Sequence, residues 1–239
     1  MKNLIKSIAA NNNLESVELN DGKLNPTLLY FENKDDFYII ICSEYQNLLS
    51  QLELEDTNKN IDLGINAYLD TVKDYSQIEV FTNRFIDFNL SCIVAIELES
   101  LENEVVLKQI HKIEEDYKIA KKYILPYLNE DFEILNKKLK EITSDNLNEK
   151  LNKLALQNSN IINNKEESWY QLVINLFIKI PFLNYHSDSF GLTTVAELLD
   201  GALSEEEKTL LQNINNNYSE GVDIESFISQ FHISDDEQV

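Results

Sequence analysis
Two runs of almost uninterrupted apolar residues, Phe37–Cys42 (FYIIIC) and Ser91–Leu98 (SCIVAIEL), constrain this chain more than any other feature. Both are rich in β-branched and aromatic side chains and too short for a buried helix, so they read as strands. A strand apolar on successive residues presents apolar groups to both faces of its sheet, so both faces need a cover. Thr27–Glu32 (TLLYFE) precedes the first run, and the polar stretch Asn33–Asp36 supplies turn chemistry for a hairpin between them. The chain of 239 residues is long enough to bury roughly 70% of its unfolded surface.

The remaining segments predict the covering helices. Leu4–Ala10 forms a short amphipathic helix, Tyr45–Leu54 carries Leu48, Leu49 and Leu52 at helical spacing, and Leu63–Phe88 continues with aromatic residues on helical faces. From Val106 the apolar positions Ile110, Ile113, Tyr117, Ala120 and Ile124 lay one stripe along about five helical turns that Pro126 ends. A second stripe runs through Phe132, Leu135, Leu139 and Ile142 and resumes at Leu147, Leu151 and Leu154. The expectation is a long helical arm, with more apolar stripe between Asn103 and Leu156 than a three-stranded sheet can cover. The polar stretch Asn158–Glu167 is the expected boundary. Beyond it Ser168 caps a helix carrying Trp169, Leu172, Val173, Leu176 and Phe177, which Pro181 closes. Short helices follow at Thr194–Leu199, from a Ser204/Glu207 capping box, and at Ile224–Phe231. The expected fold is α+β: a small mixed or antiparallel sheet covered by helices, a helical arm within residues 1–157, and an all-helical domain over 168–239.

Charge narrows the function classes. Forty-two acidic residues against 20 basic ones give a net charge of -22, a field that repels phosphate backbones and anionic membranes. Arg84 is the only arginine, so the bidentate forks that grip phosphate and guanine edges are nearly missing. A basic partner suits this field. Cys42 and Cys92 lie inside apolar runs and read as buried thiols, and no window approaches the ~18 apolar residues of a membrane helix. A cytoplasmic location is expected.

Candidate chemistry is thin. His111, His186, His232 and the two cysteines lack metal-ligand spacing. Tyr185–Ser189 (YHSDS) holds the ingredients of a nucleophilic site in a loop, without the elbow that would present a serine. Glu32-Asn33-Lys34 is a Glu-x-Lys triplet with Asp21 upstream, and Glu97 and Glu99 share a strand face, but the triplet runs into a hairpin turn. Five scattered glycines leave no phosphate cradle. No catalytic residue, metal or cofactor is expected. The residues assigned to partner binding are Val106, Ile110, Ile113, Tyr117, Lys121, Lys122, Tyr123 and Tyr127.

The order of hairpin (TLLYFENKDDFYIIICSE), helices, strand (SCIVAIELES) and a segment ending in EEDYKIAKKYILPYLNEDFEIL resembles the middle components of bacterial ABC three-component defence systems, the Lamassu type among them. The similarity spans Tyr30–Leu139, and Tyr117, Lys121, Lys122, Tyr123, Pro126 and Tyr127 are the matching positions. It implies a non-enzymatic adaptor in a hetero-oligomer, joining an SMC-like or Rad50-like ATPase to an effector nuclease in defence against phage or plasmid DNA. Nucleic acid would then be met only through the complex. The runner-up is a free-standing acidic inhibitor, a toxin immunity protein or a DNA mimic. That reading draws on the twelve acidic residues and one lysine between Tyr185 and Val239.

Overall fold
A computed structural model of the chain describes residues 1–54, 60–75, 78, 81, 84, 86–161, 167–186, 204 and 207–209. Five strands, β1 (Glu15–Glu18), β2 (Thr27–Tyr30), β3 (Phe37–Glu44), β4 (Leu90–Leu98) and β5 (Lys121–Leu128), form one sheet in that order. β1, β2 and β3 make an antiparallel meander, and β3, β4 and β5 run parallel. The α+β expectation holds, with β3 and β4 as inner strands.

The helices among the described residues are α1 (Lys2–Asn11), α2 (Tyr45–Gln51), α3 (Ile61–Lys73), α4 (Ile86–Asn89), α5 (Glu104–Glu115), α6 (Asn129–Glu141), α7 (Leu147–Gln157) and α8 (Ser168–Lys179). Right-handed parallel connections that advance in one direction put their helices on one face of a sheet. Accordingly Leu48, Ile65, Leu69, Ile110 and Ile113 pack with Ile39, Ile41, Val94 and Ile96 on one side. The alternate strand residues, Tyr38, Ile40, Ile93, Ala95 and Leu125, meet α1, α6, α7 and α8 on the other. No described helix is long and apolar enough to cross a membrane.

The single arginine is committed to the β2–β3 turn. Arg84 Nε donates to Asp35 Oδ1 at 3.1 Å, its terminal nitrogen to the carbonyls of Phe31 and Lys34, and its guanidinium lies 5.0 Å over the Phe37 ring. α1 is moored to the edge of the meander by Lys2 and Lys6, each 2.6 Å from Glu18. Burial opposes ionisation of Glu18, but hydrogen bonds from Lys2, Lys6 and Thr27 outweigh it and pull its pKa from 4.5 to about 2. A folded-state pKa below the unfolded one stabilises at pH above the unfolded value and is lost as pH falls through the window between them. Glu18→Gln is therefore expected to flatten the loss of α1 amide-exchange protection between pH 4.5 and about 2. Because Glu18 is partly exposed, its cost at neutral pH should be about 0–1 kcal/mol.

Three expectations are corrected. Residues 106–124 are not one helix: α5 stops at Glu115, and Ile119 at φ +65 ends any helical path before β5 begins. β5 pairs with β4 from Ser91↔Lys121 to Leu98↔Leu128, so Tyr117 falls in a loop and Lys121, Lys122, Tyr123, Pro126 and Tyr127 in a strand. The helical arm is also absent among the described residues, since Leu135, Leu139, Leu151 and Leu154 are buried on the sheet. The division moves too. Contacts split the chain into Met1–His186 and Ser187–Val239, and α8 belongs to the first unit, where Trp169, Val173 and Leu176 are buried. In the second unit Ser204 and Glu207 form the reciprocal capping box: Ser204 N–H donates to Glu207 Oε2 (2.7 Å) and Glu207 N–H to Ser204 Oγ (3.3 Å). The helices expected at 194–199 and 224–231 lie outside the described residues.

Candidate functional site
Parallel strands end along one edge of their sheet, and the loops that leave those ends gather there, which is where open α/β sheets place their binding crevices. In this chain the carboxyl ends of β3, β4 and β5 open on a cleft of about 620 Å³. Each strand delivers an acid as it leaves the core: Glu44 closes β3, Glu97 and Glu99 flank the end of β4, and Glu130 follows β5 at the start of α6. Tyr45, Leu98, Val106 and Leu128 contribute apolar surface. Tyr45 Oη donates to Gln109 Oε1 at 2.6 Å and so ties α2 to α5 across the cleft wall. No lysine or arginine lies among the lining residues.

The register sharpens the electrostatics. Glu44 is the Cα partner of Glu97, and Glu97 of Tyr127, so the three stand in one row across adjacent strands about 4.8 Å apart. Like charges in register on neighbouring strands repel. Tyr127 relieves part of this by donating to Glu97 Oε2 at 3.3 Å. Burial first, then Glu97, pushes the Tyr127 pKa up, so it remains a protonated donor. The Met1 amino group attracts Glu97 at longer range, but burial lowers its pKa and weakens it as a counter-charge.

The residues assigned to partner binding separate. Val106 lines the cleft, and Tyr127 reaches it through Glu97. Ile110 and Ile113 are fully buried against the sheet, which closes them to a partner. Tyr117 is 71% exposed in the α5–β5 loop, Lys121 lies 4.9 Å over the half-buried Tyr123 ring, and Lys122 is buried. The reading from sequence paired Glu97 with Glu99 but missed Glu44 and Glu130. The signal was an acid directly after each apolar run, at SE, ELE and LNE.

The other candidates dissolve into structure. Glu32 and Lys34 are exposed in the β2–β3 turn, where Lys34 sits over the Phe31 ring. Asp21 organises the β1–β2 turn, accepting from the amides of Lys23 and Asn25 and from Tyr68 Oη. Burial opposes its ionisation, yet these donors hold its pKa below the ordinary value. The His186 amide donates to Asn152 Oδ1, and Ser187–Ser189 lie outside the described residues. Burial pushes the thiols of Cys42 and Cys92 up to about 12, leaving them inert at neutral pH. Among the described residues no three His, Cys, Asp or Glu side chains are grouped to hold a metal ion. Comparison with known protein families, curated proteins and solved structures returns no match.

Proposed function
We propose that this chain is a non-enzymatic adaptor that takes a basic segment of a partner polypeptide into the cleft at the carboxyl ends of β3, β4 and β5. Its setting, on this reading, is a cytoplasmic anti-phage or anti-plasmid complex, in which it links an SMC-like ATPase to an effector nuclease. What supports the reading is the row Glu44, Glu97 and Tyr127, two in-register carboxylates beside apolar surface with no basic side chain lining the cleft. Lysine or arginine side chains relieve that repulsion, and their aliphatic stems suit Leu98, Val106 and Leu128. Surplus helical surface gives no support, since the stripes that suggested it are buried.

A twelve-residue peptide alternating lysine and leucine, titrated by calorimetry, is the direct probe. Glu44→Gln with Glu97→Gln should weaken it about tenfold, near 1.4 kcal/mol. The same pair of substitutions should release the chain from co-purification with the ATPase and effector subunits. Undiminished peptide affinity in the double variant would remove the cleft from the proposal. A free-standing acidic inhibitor would instead bind one basic partner with a steep loss of affinity as salt rises, and would join no ATPase complex.

A further inference from the structure
At the handover from α5 to β5, residues 116–120 fold around a single ammonium. Lys122 Nζ donates to the main-chain carbonyls of Asp116 (2.6 Å), Lys118 (2.8 Å) and Ala120 (3.2 Å), and the side chain is 3% exposed. An ammonium has three donors, and all three go to backbone oxygen. Aiming alternate carbonyls at one point requires an unusual backbone, and Ile119 supplies it at φ +65, a region β-branched residues rarely enter. Asp116 and Asp62 attract the ammonium from farther off. The Asp116 carboxylate is engaged elsewhere, accepting from Lys118 N–H and from Asn66 Nδ2. Asn66 Oδ1 is a further oxygen in this neighbourhood, buried and without a partner among the described residues. Converging backbone carbonyls are a means by which proteins replace the water shell of a monovalent cation.

We infer that the 116–120 loop is a monovalent-cation cradle which the chain fills with its own Lys122 ammonium, and that an ion of ammonium or potassium size takes its place when that side chain is removed. The internal cation pins the start of β5 opposite Cys92 and so sets the register of the whole edge strand. It also explains why a lysine stands on the inward face of a strand whose other inward residues are apolar.

Thermal unfolding of the full chain in ammonium, potassium and lithium chlorides at equal ionic strength tests this. Wild type should unfold at the same temperature in all three. Lys122→Ala should lose about 5 °C or more in lithium and regain a third or more of that loss in ammonium or potassium. Lys122→Met, which fills the cradle without charge, should stay low throughout. A Lys122→Ala chain indifferent to the cation overturns the inference. If that variant does not fold, the wild-type ammonium still decides: its N–H signals should exchange slowly and couple to the carbonyl carbons of residues 116, 118 and 120. Exchange as fast as that of surface lysines overturns it equally.

Discussion
A chain ended after Gln157 is expected to lose cooperative unfolding altogether, while one ended after His186 keeps it. The segment between carries Trp169, Tyr170, Leu172, Val173, Leu176, Ile180, Phe182 and Leu183, all buried in the cluster that covers Tyr38, Ile40, Ile93 and Leu125. Burial of a large apolar side chain stabilises by roughly 1.5–3 kcal/mol, and eight of them match or exceed the ~5–15 kcal/mol by which a whole domain is stable. Specific contacts add to the loss. Tyr170 Oη donates to the Ala155 carbonyl at 2.8 Å, Ser168 Oγ to the buried Asp131 at 2.5 Å, and the Phe182 ring meets Tyr38 edge-on at 5.1 Å. Asn152 holds the end of the segment, accepting from the His186 amide at 2.8 Å. Urea unfolding followed by circular dichroism distinguishes the two lengths. A sharp transition in the 1–157 chain would restore the boundary to 158–167.

That boundary shows where sequence patterning misleads. Asn158–Glu167 stands between α7 and α8 in the sequence, and its polarity says nothing about whether the core continues beyond it. β3 and β4 were legible because their central stretches, Phe37–Cys42 and Cys92–Ile96, are apolar on every residue, a pattern that needs no knowledge of neighbours. The outer strands β1 and β5 carry mixed faces and were missed. Glu15–Glu18 is short and largely exposed, and in Lys121–Leu128 the spacing of Ala120 and Ile124 happened to continue the helical stripe of α5. Missing two strands also created the apparent excess of apolar helix, because the area those strands add is what the helices cover. The cleft was half legible. An acid at a strand end is visible in sequence, but Glu44 and Glu97 lie far apart in the chain, and only the parallel register makes them neighbours.

Removing the Glu114 carboxylate should open the edge of the sheet. β5 pairs only with β4 among the described residues, so half of its backbone groups face outward. The Ile124 N–H is one of them, and it donates to Glu114 Oε1 at 2.8 Å instead of to a strand. Backbone orientation alternates along a strand, so Pro126 occupies another outward position, where its missing N–H costs nothing. This is why a proline that read as a helix terminator is tolerated inside β5. Glu114 also receives Lys179 of α8 at 2.6 Å, closing α5 and α8 over the edge from opposite faces. Both side chains are largely shielded, at 20% and 24% exposure. Glu114→Ala leaves an unpaired lysine and an orphan amide, and a charge-assisted bond of this kind contributes about 1.5–3 kcal/mol. The expected loss in urea unfolding is about 2–4 kcal/mol, with Glu114→Gln losing less because its amide oxygen still accepts from Ile124. The exposed edge should also promote self-association, visible as a concentration-dependent shift in size-exclusion chromatography. Lys179→Ala should cost less than Glu114→Ala, since the carboxylate stays in place to cap the strand. Equal costs for the two would mean that the ion pair alone, and not the guarding of the edge, accounts for the loss.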